Sequence, residues 1–140
     1  MKIREKIYFQ IMDAYSSVPP ECGGIIGSQN GIVTAYYHDF GSDSQNSAVY
    51  IPNIDILNEK IQIWQSQNIQ FCGMVHSHLS NETKLSESDK VYIADILGVN
   101  SDFCEKMYFP IVIPKQRMIS FLAKKEGNKI SIMADTIEFV

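Results

Sequence analysis

The chain has 140 residues, 45% hydrophobic and 20% charged, with a net charge of −4. That length suits one domain, residues 1–140, with a sizeable core, and argues against a second. No stretch approaches the ~20 apolar residues of a membrane span, and the lysines are scattered rather than massed, which argues against nucleic acid as the main partner.

The first residues, Met1-Lys2-Ile3-Arg4-Glu5-Lys6, carry charge into the only candidate signal-peptide core, so the expected location is the cytoplasm. Three cysteines, Cys22, Cys72 and Cys104, are odd in number and form no Cys-x-x-Cys pair. They fit reduced thiols serving as small core residues. Asn81-Glu82-Thr83 matches a glycosylation acceptor, a chance match in a chain without a secretion signal.

Residues 2–16 set Ile3, Ile7, Ile11 and Ala14 along one side, beside Tyr8, Met12 and Tyr15, which predicts a core-facing helix stopped by Pro19-Pro20. The run Glu21-Cys22-Gly23-Gly24-Ile25-Ile26-Gly27 then reads as a strand with glycines where backbone or ligand approaches closely. Gln29-Asn30-Gly31 is a hairpin turn into a return strand over residues 32–40. His38, isolated near that strand's end, reads as solvated. A polar loop over residues 41–47 leads to a short strand-like run at residues 48–51.

Pro52-Asn53 opens a second helix with Ile54, Leu57, Ile61 and Trp64 on one stripe, ending near Gln67-Asn68. Residues 71–77 are apolar and β-branched enough for a buried strand. Beyond a polar loop, Ser86 begins a third helix, with Val91 or Tyr92, Ala94 or Asp95, and Leu97 at helical intervals, closed by Gly98-Val99-Asn100-Ser101. Strands follow at residues 106–113, bounded by Pro114, at 117–125 and at 129–133; the tail from 136 to 140 supplies another. Lys124-Lys125 lies at a solvated hairpin end. The fold class is α/β, a single domain whose mixed central sheet is flanked by helices, with the strand at 71–77 central.

That strand ends in His76-Ser77-His78. Side chains alternate along a strand, so His76 and His78 point the same way, about 6.6 Å apart, close enough to lean onto one ion of the zinc kind. Two of only three histidines in the chain meet here, where an imidazole pair has no ordinary packing role. Asp89, in the first turn of the third helix, offers a third ligand, although Ser86-x-x-Asp89 taken alone is a capping pattern. Two nitrogens and one oxygen leave a tetrahedral zinc one position for water. A carboxylate near that water must still carry the proton to a leaving amine. Glu21, at the mouth of a Gly-rich strand, is the candidate; the residues alone leave open whether it faces a polar cavity or simply solvent after Pro20.

His-x-His-x7-Ser-x-x-Asp, with Pro20-Glu21-Cys22-Gly23-Gly24-Ile25-Ile26-Gly27 upstream, resembles the signature of the JAMM (MPN-plus) metalloproteases of the MPN, or JAB, family. The resemblance covers Glu21 to Asp89. It implies the MPN/JAB, cytidine-deaminase-like fold and one zinc held by His76, His78 and Asp89, with Glu21 holding the water and Ser86 steadying the oxyanion. Leu79 and Leu85 stand where many members have proline, which costs the loop two stiffeners. The short loop at 41–47 resembles compact prokaryotic members, which implies a peptidase or isopeptidase acting beside the glycine tail of a ubiquitin-like or sulfur-carrier protein.

Three rival readings have other consequences. Two histidines and a carboxylate also form a non-haem iron(II) site. A non-catalytic MPN scaffold would bind partners without metal. A His-x-His amidohydrolase barrel needs about 250 residues and fails on length.

Overall fold

The amino-terminal apolar run divides between two elements in the computed structural model, which describes residues 1–42 and 50–140. Strand β1 (Lys2–Ile3) pairs in parallel with two neighbours, so Ile3, fully buried, belongs to the sheet and not to the predicted helix. Helix α1 (Glu5–Ala14) then buries Ile7 and Ile11, one turn apart, and ends short of Pro19-Pro20. Strands β2 (Gly23–Gln29) and β3 (Ile32–Asp39) form the expected hairpin. Its two turn residues, Asn30 and Gly31, have φ of 51° and 76°. Positive φ at both central positions gives the turn the twist of its strands, which is why Asn-Gly suits it.

Residues 43–49 lie outside the described part, and with them most of the predicted loop and half of the strand-like run; Tyr50 and Ile51 are not strand. Helix α2 (Ile54–Ser66) has Asn53 as its cap and buries Leu57 and Trp64, two turns apart. Ile54 is half exposed, so the apolar stripe starts at Leu57. Strand β4 (Gln70–Ser77) carries the histidines toward helix α3 (Glu87–Asn100). Gly98 lies inside α3 rather than closing it, because the capping hydrogen bond comes only at Ser101, whose N–H reaches the Gly98 carbonyl.

The predicted strand at 106–113 is split into β5 (Lys106–Tyr108) and β6 (Ile111–Ile113). Pro110 between them has no N–H to give a ladder, yet both pieces keep the same neighbours, β4 in parallel and β7 (Arg117–Glu126) antiparallel. Strand β8 (Lys129–Asp135) pairs with β7 alone, and the tail forms β9 (Glu138–Phe139) beside β1.

Among the described residues this makes a single-domain α/β protein of nine strands in one mixed sheet, flanked by three helices. Strand β4 is central, between β2 and the β5/β6 pair. One face packs Ile7, Ile11, Ile26 and Val75 under α1; the other packs Leu57, Trp64, Met74, Ile93 and Leu97 under α2 and α3. No helix of the described residues is long and apolar enough to cross a membrane. The three cysteines are free thiols, but only Cys72 is buried; Cys22 and Cys104 are half-buried, because each sits outside a strand interior.

Alternation along β4 is interrupted once. Phe71 pairs with Gly27 and Gly73 with Ile26, so Cys72 is an extra, bulged residue. Phe71 and Met74 consequently share the α2/α3 face, while Cys72 and Val75 share the other. His76 therefore continues the α2/α3 face. A Cβ on Gly73 would overlap the Tyr108 carbonyl oxygen on neighbouring β5. Gly73→Ala is expected to destabilise the fold by about 3 kcal/mol, read as a lower urea midpoint with an unchanged slope. An unchanged midpoint would mean that β4 and β5 are not packed this closely.

Candidate metal centre

Three elements bring the site together, and backbone hydrogen bonds lock each in place. His76 donates its backbone N–H to the Pro110 carbonyl (3.2 Å) and His78 to the Val112 carbonyl (3.0 Å), which fastens the end of β4 to β6. On the other side, Ser77 donates its N–H to the Cys22 carbonyl (2.9 Å). The Ser77 Oγ accepts the Cys22 N–H at 2.9 Å in return. Ser77 is fully buried, and this reciprocal pair lays Glu21-Cys22 alongside the histidine segment.

Helix α3 supplies the third element. Ser86 caps it with both halves of a capping box: its Oγ accepts the Asp89 N–H at 3.0 Å, and its own N–H donates to Asp89 Oδ2 at 2.9 Å. The cap is real, and it does not compete with a ligand role, since the same carboxylate faces both imidazoles. Asp89, Ile93 and Leu97 stand at i, i+4 and i+8, so one face of α3 carries the acid at its tip and the buried anchors behind it. The predicted stripe was right at Leu97 but not one turn earlier, where Ile93 is the buried residue while Val91 is exposed and Tyr92 half-buried.

The Nε2 atoms of His76 and His78 are 3.0 Å apart, and Asp89 carboxylate oxygens lie 3.3 and 3.2 Å from them. Tetrahedral bonds of about 2.0–2.1 Å put neighbouring ligand atoms about 3.3–3.4 Å apart, so these three donors are spaced as ligands of one small ion. The ligand atoms all fall within 4.8 Å of one another, the single such group of His, Cys, Asp and Glu among the described residues. His78 is also oriented from behind, its Nδ1 lying 3.0 Å from the Glu82 carbonyl. A carbonyl only accepts, so Nδ1 carries a proton and Nε2 turns toward Asp89, where an ion would take the place of the proton that the two share. The donor set fits zinc or another borderline divalent ion.

The electrostatics agree with that arrangement. Burial alone would lift the Asp89 carboxyl, but hydrogen bonding to His76 and His78 outweighs it and holds the acid well below the usual carboxylate range. Burial alone would lower His78, but its bonds to Asp89 and Glu82 raise it. Glu21 is raised, chiefly by burial, with His78 and His76 opposing the shift and Asp89 adding to it. Glu21 is half-buried, and the charges of all three candidate ligands bear on its carboxyl. Ser86 is exposed at the rim, and because its Oγ accepts from Asp89, its hydroxyl hydrogen is directed elsewhere.

Other expectations change. His38 is not simply solvated: its Nδ1 lies 2.9 Å from the Tyr36 hydroxyl, its ring packs on Tyr15 and Phe40, and burial lowers its pKa against an opposing pull from Asp39. It pairs with Gly24 and faces α1, away from the triad. Of the β2 glycines, Gly24 meets backbone as expected, since a Cβ there would overlap the Tyr37 carbonyl, whereas Gly23 makes room for a side chain, the Tyr50 ring.

Tyr50 and Asp39 were not legible in the sequence. The buried Asp39 carboxylate accepts the Tyr50 hydroxyl (2.6 Å), the Asn53 N–H (2.9 Å) and the Gly41 N–H (3.2 Å). This clamp holds the Tyr50 ring over Gly23, the residue paired with His76, as a wall of the site. The loop from His78 to Asp89 is tethered by burial of Leu85 in the core and by Gln116 donating to Asn81 at 2.9 Å.

Neither a family model nor a curated protein matches the chain. Solved structures do. A protein of Desulfitobacterium hafniense is 14% identical with a TM-score of 0.68, over 99% of this chain and 93% of its own. A protein of Salinibacter ruber is 17% identical with a TM-score of 0.58, over 100% of this chain and 92% of its own. At such identities the likeness is one of fold alone.

Proposed function

We propose that the chain is a JAMM-type zinc peptidase on an MPN/JAB, cytidine-deaminase-like fold. The observation that carries this is the meeting of the ligand atoms of His76, His78 and Asp89 within 4.8 Å of one another, with Glu21 close enough for their charges to bear on it. When bound there, zinc lowers the pKa of water and polarises a carbonyl. Glu21, raised by burial, accepts the proton of the attacking water and returns it to the leaving nitrogen, so the proton count balances as the C–N bond breaks. Ser86, at the helix N-terminus, donates its hydroxyl to the charge developing on the carbonyl oxygen.

The substrate is an amide or isopeptide bond beside the glycine tail of a ubiquitin-like or sulfur-carrier protein. An extended tail of small residues passes the Tyr50 wall more readily than a bulky one. The test incubates the protein with glycine-tailed fusions and with the same fusions whose tail glycines are changed to leucine, reading products by mass spectrometry. Selective cleavage after the glycine tail supports the assignment; equal cleavage of both tails defeats the substrate class.

The same three donors also match the iron(II) triad, and elemental analysis separates the two. We expect one zinc per chain in protein purified without added metal. Stoichiometric iron with no zinc uptake would make it an iron enzyme, and no metal at all would leave a non-catalytic scaffold.

A further inference from the structure

Beside the site lies a groove of about 770 Å³ that the chemistry above does not use. Its floor is apolar: Ile119 and Phe121 of β7 with Ile130 and Ile132 of β8, all half-buried. Helix α3 packs on β7 and leaves β8, which pairs with β7 alone, as the open side of the groove. The rim is cationic. Lys84 comes from the loop between the ligands His78 and Asp89, Lys90 follows Asp89 directly, and Arg117 starts β7.

Among the described residues no acidic side chain lines the groove, in a chain with 16 acidic and 12 basic side chains. Lys90 is engaged, its Nζ 3.0 Å from Glu87 on the exposed face of α3. Lys84 and Arg117 have no ion-pair partner among the described residues. A cationic rim over an aliphatic and aromatic floor favours an occupant that is apolar on one side and acidic on the other. A phosphate backbone would use the rim and waste the floor. The volume is in the range of pockets that enclose small ligands, so it takes a few residues of chain rather than a domain.

Resting on the peptidase function proposed above, we infer that this groove docks a short acidic, apolar-anchored segment of the protein substrate, outside the glycine tail. Carboxylates of that segment meet Lys84 and Arg117 while its apolar side chains rest on Phe121 and the isoleucines. Docking next to the ligand-bearing loop lets a substrate be chosen by a second patch as well as by its tail, and steers acidic partners to the site.

The probe is a fluorescein-labelled octapeptide of alternating leucine and glutamate, followed by anisotropy against the whole chain. We expect saturable binding that weakens with salt, and a dissociation constant raised about tenfold or more in the Lys84→Glu, Arg117→Glu double variant. Both positions are exposed, and circular dichroism and zinc content confirm that the variant is folded. On a glycine-tailed fusion carrying an acidic-apolar patch, the same variant should raise KM with kcat kept. Equal binding of a leucine-lysine octapeptide, equal binding by the double variant, or displacement of the probe by a thymidine octanucleotide overturns the inference. So does a dimer that the double variant splits while peptide binding stays weak, since the occupant would then be a second copy of this chain. The probe does not need turnover: a chain that binds it but holds no zinc and cuts no fusion defeats the peptidase and keeps the groove, whereas a chain that cuts fusions but ignores the probe keeps the peptidase and defeats the groove.

Discussion

Glu21→Gln is expected to lower turnover by about 10²–10⁴-fold while zinc content and thermal unfolding stay at wild-type levels. The amide fills the same half-buried volume beside His78, His76 and Asp89, so packing is kept. It cannot accept and return a proton, so only the transfer step is lost. The measurement is single-turnover cleavage of a glycine-tailed fusion, with metal content determined on the same preparation. Wild-type turnover in this variant would remove Glu21 from the mechanism and send the search to another carboxylate. A variant that lost its zinc would instead make Glu21 a ligand, and the half-buried carboxyl would need a different account.

His78→Ala should act on the metal itself. Altering groups that merely orient a ligand costs about 10–100-fold in metal affinity, so removing a ligand should cost more than about 100-fold. His78 is buried, is 3.2 Å from Asp89 and holds the Glu82 carbonyl, so the variant also leaves polar groups without partners. Zinc that binds only the folded chain adds about 4 kcal/mol of stability at a thousand times its dissociation constant. The wild type should therefore melt at a higher temperature as zinc is added, and His78→Ala should melt lower and no longer respond. Persistence of stoichiometric zinc in the variant would dissolve the three-ligand site. Asp89→Asn is the useful companion, because the asparagine Oδ1 can still accept the Ser86 N–H of the capping box. A loss of zinc with α3 intact then separates the ligand role of Asp89 from its capping role.

The sequence carried the chemistry of this site further than it carried the walls around it. His-x-His at the end of an apolar strand, and an acid in the first turn of the next helix, are short-range patterns; both rest on the local geometry of a strand and a helix, and both were found where expected. Ser86 could be read as a cap or as a partner of the site, and the capping box bears out the cap. The Asn30-Gly31 turn, the helix beginning at Asn53 and the strand at the tail were legible for the same reason: turn and cap chemistry is decided by a few neighbouring residues.

What the tertiary structure alone decided depends on residues far apart in the chain. The placement of Glu21 near enough for the histidine charges to bear on it turned on the reciprocal bonds between Cys22 and Ser77, 55 positions later, a pairing that no local pattern encodes. The bulge at Cys72 fixed which face of β4 carries each side chain upstream of the histidines, and it arises from register against β2 rather than from composition. Ile3 joined a strand because two neighbouring strands took up its backbone hydrogen bonds, a gain that outweighed helical spacing. Tyr50 became a wall only because Asp39, at the end of another element, holds its hydroxyl, and because Gly23 leaves room for its ring. In each case a long-range hydrogen bond or a close approach chose among conformations that the local sequence permitted equally, since burying a backbone or carboxylate group without a partner costs more than any local preference supplies.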